Sequence, residues 1–258
     1  MTFALFGDAP YSNAQIHVLD AMIDRMNAEP LAFAVHIGDL TSGQGPCDDA
    51  WMLARKQQFA RIKAPFVLLP GDNEWTDCPR SGFSATERLR KWRELFCVAV
   101  ALPEFKRQKE PYCENARWIS DNVVFVGLNI PGSNNNLDDD PAESRERMRA
   151  VFAWLDEAVA GARKRDGLVI LMHADPFLTR KKGADGYAAV RDRLRRIAAS
   201  LPGKVLLVHG DTHVFKDDEP MPGLRRTEVF GSPWVRWSKA TFDRTGSPRF
   251  TIEAMPPP

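Results

Sequence analysis

Short apolar segments alternate with longer amphipathic segments along most of this chain. The short segments are rich in Val, Ile, Leu and Phe, and most of them stop within seven residues, which is typical of buried β-strands. The pattern predicts strands within residues 2–6, 31–37, 65–69, 117–129 (split near residue 121), 168–173, 204–209, 227–230 and 234–242.

The amphipathic segments predict helices between these strands. In residues 13–28 apolar side chains recur every three or four positions behind Ser12, a good N-cap. A second helix start is predicted at Asp140-Pro141, where a capping carboxylate precedes a proline at the first helical position. Strands that alternate with helices indicate βαβ units, a largely parallel sheet and an α/β protein.

The alternation continues without a linker, so residues 1–258 are predicted to form a single domain. The strands after residue 204 have no intervening helices and are predicted to be antiparallel. The least regular stretches are 131–140, 178–186 and 216–226, which are predicted loops; in a binding protein such loops carry specificity.

Composition excludes several classes of protein. The chain has 258 residues, with 35 Lys and Arg against 34 Asp and Glu, so binding to nucleic acid through bulk positive charge is not expected. No apolar run approaches the ~20 residues of a membrane span. The N-terminus does not resemble a signal peptide, so the protein is expected to be cytoplasmic, or exported with its signal removed. The four cysteines contain no C-x-x-C pair, which argues against a zinc ribbon.

Gly-Asp dipeptides follow four of the predicted strands directly. A histidine ends a fifth, and another histidine lies two residues beyond the last Gly-Asp. Because ligands bind at the carboxyl ends of strands in α/β sheets, these side chains are expected to converge. They are Asp8, Asp39, Asp72, Asp211, His173 and His213.

A single Gly-Asp after a strand is usually a turn and a helix cap. Four of them together with two histidines favour a binding site instead. Clustered carboxylates repel one another unless a cation compensates their charge, and oxygen ligands with imidazole suit magnesium, manganese, iron or zinc. The sequence therefore predicts a metal site of one or two ions.

The order of these motifs resembles that of the calcineurin-like metallophosphoesterases. Over residues 2–215 the chain reads GDAPY, GD, GDNE, a lone histidine and GDTH, each at a predicted strand end, where the family has D-x-H, G-D, G-N-H-E/D, H and G-H-x-H. Such blocks are also similar to those of a variant subgroup of the family. The resemblance implies a four-layer α/β sandwich, in which two mixed β-sheets are flanked by helices.

The resemblance also implies a function and a set of ligands. It implies hydrolysis of a phosphate ester by a hydroxide held between two divalent ions, which could be manganese, iron, zinc or magnesium. Carried over by position, the first ion is held by Asp8, Asp39 and His213. The second is held by Asp39, which bridges the two ions, with Asp72, His173 and Asp211.

Four positions depart from the family pattern. Pro10 stands in place of a histidine ligand, so water or Tyr11 could fill that coordination position. Aspartates replace an asparagine ligand at residue 72 and a histidine ligand at residue 211. Asn73 stands in place of the histidine that assists catalysis.

Since an amide cannot protonate a leaving group, a good leaving alcohol, water or another residue must serve. His209, His36 and Asp175 are the candidates by proximity to the motifs, with His209 our primary choice. The alternative for the two histidines is a structural role in packed strands, and for the aspartate a turn before Pro176.

Two other functions fit the same residues. The departures at Pro10 and Asn73 are compatible with a degenerate member that serves as a binding or scaffold protein. An aspartyl-phosphate phosphatase with Asp8 as nucleophile is a second alternative, but the D-x-D motif expected after the first strand is missing.

Cys47 and Cys78 could form a disulfide beside the site, although free thiols are expected in a cytoplasmic protein. Oligomeric state and substrate are not encoded in these motifs.

Overall fold

Local sequence signals determine where the two most clearly predicted helices begin. The Ser12 side chain accepts a hydrogen bond from the backbone N–H of Gln15, as an N-cap does. The carboxylate of Asp140 accepts from two N–H groups of the next helix, which has Pro141 at its first position. Both helix starts are therefore where the sequence predicts them.

The computed structural model describes residues 1–178 and 183–258. Helical segments in these ranges are α1 (Asn13–Met26), α2 (Asp49–Phe59), α3 (Ala85–Phe96), the short turn α4 (Gly132–Asn135), α5 (Pro141–Ala162), α6 (Ala188–Ser200) and a 3₁₀-helix (Cys78–Ser81). Strands are β1 (Thr2–Phe6), β2 (Ala34–His36), β3 (Phe66–Leu68), β4 (Lys106–Arg107), β5 (Ala116–Ser120), β6 (Val123–Leu128), β7 (Gly167–Met172), β8 (Val205–His209), β9 (Lys216–Met221), β10 (Leu224–Glu228), β11 (Ser238–Phe242) and β12 (Phe250–Ala254).

The strands form two mixed sheets. One sheet has the order β12-β11-β1-β2-β3 and the other the order β4-β5-β6-β7-β8-β10-β9. Strands β1, β2 and β3 are parallel, as are β6, β7, β8 and β10, whereas the outer strands pair antiparallel. Each sheet therefore presents the carboxyl ends of several parallel strands at one edge, where ligands bind in α/β proteins.

Apolar side chains fill three successive interfaces. One core lies between α1 to α3 and the first sheet, another between the two sheets, and the third between the second sheet and α5 and α6. Strand β7 shows how the pattern produces these layers, because Val169 faces the core between the sheets while Ile170 faces the helices. The predicted four-layer α/β sandwich is confirmed.

The stretch 216–226 is not the loop that the sequence predicted. It forms β9 and the start of β10, an antiparallel hairpin. The prediction was wrong because β9 has charged rather than apolar side chains, and these are paired across the hairpin: Arg225 with Asp217 and Arg226 with Asp218. The expectation of antiparallel strands after residue 204 holds only in part, since β10 runs parallel to β8.

Strands β4 and β12 were not predicted, because each is a short or polar edge strand. The single-domain organisation stays a prediction. Of the predicted loop 178–186, residues 179–182 lie outside the described residues. None of the helices in the described ranges combines the length and apolar character that crossing a bilayer requires.

Candidate metal centre

The first three Gly-Asp motifs leave parallel strands of one sheet and meet at its edge. Asp8 follows β1, Asp39 follows β2 and Asp72 follows β3. A Cβ atom added at Gly71 would lie 2.0 Å from Asp39 Oδ1, so only glycine permits this approach of the two turns. The glycine of this motif is therefore required for the carboxylates to converge.

Asp8, Asp39, Tyr11 and His213 form one half of the site. His213 Nε2 lies 3.4 Å from Asp8 Oδ1. The Tyr11 hydroxyl donates to Asp39 Oδ2 at 2.8 Å and lies 3.1 Å from His213 Nε2. The three predicted ligands of the first ion are thus brought together, and the Tyr11 hydroxyl lies among them.

His173 is the centre of the other half. Its Nε2 atom lies 3.0 Å from Asp72 Oδ1, 3.4 Å from Asp39 Oδ1 and 3.9 Å from Asp211 Oδ1. Asp39 Oδ1 also accepts hydrogen bonds from the backbone N–H groups of Asp72 and Asn73, at 3.0 Å each. Asp39 therefore touches both halves, the position predicted for a bridging ligand.

The backbone fixes the orientation of both imidazole rings. His173 Nδ1 lies 3.0 Å from the carbonyl oxygen of Ile37, and His213 Nδ1 lies 2.7 Å from that of Ser232. A carbonyl oxygen can only accept, so each Nδ1 must carry the proton and donate it. Each Nε2 then faces the carboxylates, as in histidines that bind metals through Nε2.

Burial and mutual repulsion change the protonation of the cluster. Burial raises the pKa of Asp39 to about 6 and that of Asp211 to about 7. Burial opposes protonation of His173, but the carboxylates around it, Asp39 first, hold its pKa well above the ordinary value. Burial acts to raise the pKa of Asp72, yet the adjacent His173 imidazole and the hydrogen bond from Ser133 outweigh it and leave that pKa lowered. In the metal-free protein, protons thus partly supply the positive charge that the carboxylates require.

The buried polar atoms of the cluster fit divalent ions. Asp8 Oδ2, Asp72 Oδ1 and His173 Nε2 are buried and make no hydrogen bond within the described part of the chain. Asp8, Asp39 and His173 form one group whose ligand atoms lie within 4.8 Å of one another, and Asp72, His173 and Asp211 form another. Such atoms are costly to bury without a partner, and a cation would satisfy them.

Two segments that complete the site were not predicted from the sequence. The Ser133 hydroxyl contacts Asp72 Oδ2 at 2.9 Å and Asp77 Oδ1 at 2.7 Å, and a Cβ at Gly132 would lie 2.7 Å from Asp211 Oδ1. Ser133 and the three asparagines after it have positive φ, so this left-handed turn does not resemble a helix or strand in sequence. Ser232, which holds His213, likewise lies in a loop without a motif.

Cys47 and Cys78 form a disulfide next to Asn73, so the expectation of free thiols was wrong. Both sulfur atoms lie 3.4 Å from the carbonyl oxygen of Asn73. The reason is topological: the loops that follow β2 and β3 leave one sheet edge side by side. Cys97 and Cys113 form a second disulfide, which was not predicted.

Among the candidates for leaving-group acid, His36 and His209 contact backbone groups through their rings, whereas the Asp175 N–H donates to the predicted ligand Asp211 at 3.2 Å. His36 is fully buried, contacts the Ala9 carbonyl through Nε2 and accepts from the Gly38 N–H, so both ring nitrogens are occupied. His209 is also fully buried, with Nε2 3.9 Å from Asp175. The packed-strand alternative describes the surroundings of both histidines, and the catalytic role of His209 stays a prediction.

Neither the family models nor the curated proteins searched contain a match to this chain. Solved structures do match. A dimetal phosphatase from zebrafish aligns with a TM-score of 0.63 at 14% identity, over 93% of this chain and 92% of its own. A purple acid phosphatase from yellow lupin gives 0.63 at 13% identity, over 98% of this chain and 51% of its own. GAP50, described as the anchor in the inner membrane complex of Plasmodium, gives 0.62 at 10% identity, over 98% and 84%.

These likenesses show the fold. The chain has the fold of the calcineurin-like metallophosphoesterases, with two mixed sheets flanked by helices. Membership of the family, and of its variant motif subgroup, stays a prediction.

Proposed function

We propose that this protein hydrolyses a phosphate ester at the cluster of Asp8, Asp39, Asp72, His173, Asp211 and His213, with two divalent ions as cofactors. The observation that carries the proposal is the orientation of His173 and His213. Each ring donates Nδ1–H to a backbone carbonyl and turns Nε2 toward buried carboxylates. This arrangement holds a metal ligand in its binding tautomer.

Each predicted ligand would bind an ion at one of two positions, except Asp39, which would bind at both. Asp39 faces both halves and would hold both ions, while Asp8 and His213 would complete the first position, and Asp72, His173 and Asp211 the second. When bound, the divalent ions would supply a nucleophile at neutral pH and stabilise the charge on the phosphate. Burial, followed in size by the charge of Asp72, raises the pKa of Asp77 to about 6. Asp77 Oδ1 accepts from the Ser133 hydroxyl at 2.7 Å and would support the left-handed turn that carries Ser133.

Asn73 and Tyr11 would orient groups at the first position. Asn73 Nδ2 donates to the Tyr11 hydroxyl at 3.1 Å and to the Thr41 carbonyl at 2.9 Å, so both amide protons are used. The hydroxyl in turn donates to Asp39. Asn73 supplies no acidic proton, and the described contacts of His209 are with Gly210 and Asp175. The proposal therefore favours substrates whose leaving alcohol needs little protonation, such as aryl phosphates.

Metal binding should stabilise the protein and restore hydrolysis. Protein stripped with a chelator and then given Mn²⁺ is expected to melt at a higher temperature, because the ions bind only the folded cluster. It is also expected to hydrolyse aryl phosphate monoesters or diesters. Metal analysis, thermal melting and release of the aryl alcohol are the measurements. Absence of bound metal, of stabilisation and of turnover with Mn²⁺, Fe²⁺, Zn²⁺ and Mg²⁺ would contradict the proposal.

The same titration has an expected pH dependence. Ions compete with the protons on Asp39 and Asp211, whose pKa values burial raises to about 6 and about 7. Metal affinity is therefore expected to increase as the pH rises from 6 to 8. Equal affinity at both values would contradict proton competition at these two carboxyl groups.

Replacing Tyr11 with Phe tests its place at the first ion. The change removes a hydroxyl that contacts both Asp39 and His213 but keeps the ring. We expect one of two Mn²⁺ sites to weaken by about tenfold, within the range for lost outer-shell partners. Isothermal titration of the metal-free variant gives the stoichiometry. Tyr112→Phe is the matched control, because that hydroxyl contacts only exposed Glu146 in the described chain.

A binding or scaffold role is the alternative. It is favoured by Pro10 and Asn73, which stand where the family has a ligand and a catalytic histidine, and by the likeness to the Plasmodium anchor protein. Such a protein can still bind metal, so turnover separates the two functions. Metal binding and stabilisation without hydrolysis of any aryl phosphate would favour the scaffold role.

A further inference from the structure

A second cluster of charged side chains lies under the loop that carries Asp211 and His213. It contains Asp175, His209 and Glu228, at most 2% exposed, with Lys216 and Arg226. Three of these residues are in register across adjacent strands: Glu228 of β10 pairs with His209 of β8 on one side and with Lys216 of β9 on the other. The sheet itself therefore assembles this cluster.

The ligand atoms of Asp175, His209 and Glu228 lie within 4.8 Å of one another, as in a metal site. Protein cations already occupy this position, however. The Lys216 ammonium contacts Glu228 and lies 3.4 Å from Asp175 Oδ2, and the Arg226 guanidinium lies 3.6 Å from Asp175 Oδ1. Arg226 also pairs with Asp218, but each of the two buried carboxylates already has a protein cation beside it, so a divalent ion would have to displace Lys216 or Arg226.

The cluster binds the loop between the two predicted metal ligands. Glu228 Oε1 accepts from the Thr212 hydroxyl and from the backbone N–H groups of Thr212 and Val214, the latter two at 3.1 and 3.3 Å. The Lys216 ammonium donates to the same hydroxyl at 3.2 Å. From the other side, the Asp175 N–H donates to Asp211 Oδ2 at 3.2 Å.

The loop needs such support because of its backbone conformation. Asp211 and His213 have φ of 80° and 63°, in the left-handed region that non-glycine residues rarely adopt. Two such residues within three positions persist only where the surroundings hold them. Glu228 satisfies the N–H groups that this conformation directs inward, and Lys216 neutralises Glu228.

We propose that Lys216 is a positioning residue, which acts through Glu228 and Thr212 to place Asp211 and His213 for metal binding. The inference rests on the proposed function. It gives the β9–β10 hairpin a role at the metal centre, although no residue of the hairpin is itself a predicted ligand. The Lys216 ammonium supplies a positive charge beside the buried carboxylates of Asp175 and Glu228.

Lys216→Met in the full chain tests the inference. The change removes the ammonium and keeps most of the side-chain volume, so Glu228 loses its counter-charge. Mn²⁺ dissociation constants, measured by titration of metal-free protein, are expected to rise by about 10- to 100-fold, the usual cost of losing an outer-shell partner. Lys216→Arg keeps the charge and is expected to recover most of the affinity.

Lys239→Met is the matched control. Lys239 also lies on a strand, is 22% exposed against 29% for Lys216, and also contacts two carboxylates, Glu29 and Glu253. We expect this variant to keep wild-type Mn²⁺ affinity within about twofold, since its ion pairs are ordinary partly exposed ones. The control shows whether loss of any strand lysine weakens metal binding, and the melting temperature of metal-free Lys216→Met shows how much fold stability that change costs.

Thr212→Val provides a second test if Lys216→Met does not fold. It deletes the hydroxyl that both Glu228 and Lys216 contact and leaves the buried charges paired. Weaker Mn²⁺ binding with an unchanged melting temperature of the metal-free protein supports the inference, and unchanged binding in both variants overturns it. Wild-type protein that binds Mn²⁺ without hydrolysis overturns only the proposed enzymatic function, whereas wild-type protein that binds no metal overturns both.

Discussion

Asp39→Asn is expected to abolish hydrolysis while leaving the metal-free fold at least as stable as the wild type. The two carboxylate oxygens of Asp39 face the two halves of the ligand cluster: Oδ1 lies 3.4 Å from His173 Nε2, and Oδ2 accepts from Tyr11. A neutral amide cannot replace a carboxylate shared by two cations. The loss should be at least about 10³-fold in kcat, since one lost oxyanion donor already costs about 10²- to 10³-fold.

The stability of this variant has an independent physical cause. Burial raises the pKa of Asp39 to about 6, above its usual unfolded value, so its ionisation destabilises the metal-free fold as the pH rises through that range. Asparagine removes this cost at pH 8. Its Oδ1 can still accept from the backbone N–H groups of Asp72 and Asn73. The metal-free variant is therefore expected to melt no lower than the wild type at pH 8.

Three measurements on Asp39→Asn separate the explanations: turnover of an aryl phosphate, Mn²⁺ stoichiometry, and thermal melting of the stripped protein. Asp24→Asn is the control, because Asp24 is exposed on α1 and contacts only Arg61 in the described chain. Retained turnover in Asp39→Asn would contradict the bridging role. A large drop in the melting temperature of the stripped protein would instead show that Asp39 acts as a structural acceptor.

The sequence predicted the parts of the site that depend on parallel strand ends. Gly-Asp after an apolar strand places a carboxylate at a known edge of the sheet, and the edge is shared by all parallel strands. This reasoning located Asp8, Asp39 and Asp72, and the same logic located His173 after β7. The alternation of apolar strands and amphipathic helices predicted an α/β protein with a largely parallel sheet, whereas the four-layer arrangement was predicted from the motif resemblance.

The sequence could not predict the groups that hold these ligands in place. Ser133 reaches Asp72 from a left-handed turn of polar residues, for which no periodicity exists. Lys216 and Glu228 are ordinary charged residues in sequence, and only the register of β9 against β10 brings them together. Pairings between distant segments of this kind are fixed by tertiary packing, which overrides local pattern.

Segments outside the sequence motifs contact both aspartates that stand in place of family ligands. Ser133 contacts Asp72, and the Asp175 N–H contacts Asp211, so each of the two aspartates that replace family ligands has its own supporting contact. An aspartate is more negative than the asparagine or histidine that it replaces, and it binds a metal well only if its carboxylate is oriented. The unusual ligands and their supporting contacts are therefore parts of one arrangement.

The largest expected effect on stability comes from the two disulfides, of which only one should affect the metal. Cys47–Cys78 closes a separation of 31 residues and joins the loop after Asp39 to the segment after Asp72. Cys97–Cys113 closes 16 residues, between the end of α3 and the segment before β5. The chain-entropy model gives each about 3 to 4 kcal/mol of unfolding free energy, so the second disulfide is a matched control for the first.

Double replacement of Cys47 and Cys78 by Ser is expected to lower the unfolding free energy by about 3 to 4 kcal/mol and to weaken Mn²⁺ binding. The metal effect arises because both sulfur atoms pack against the Asn73 carbonyl, while the Asn73 N–H donates to Asp39. Greater mobility of the segment around Asn73 would therefore disturb the position of Asp39, the ligand proposed to bind both ions. Replacement of Cys97 and Cys113 should cost similar stability and leave the Mn²⁺ dissociation constant unchanged. Denaturant unfolding and metal titration of both variants make the comparison, and equal metal affinity in the two would show that Cys47–Cys78 acts only on the unfolded chain.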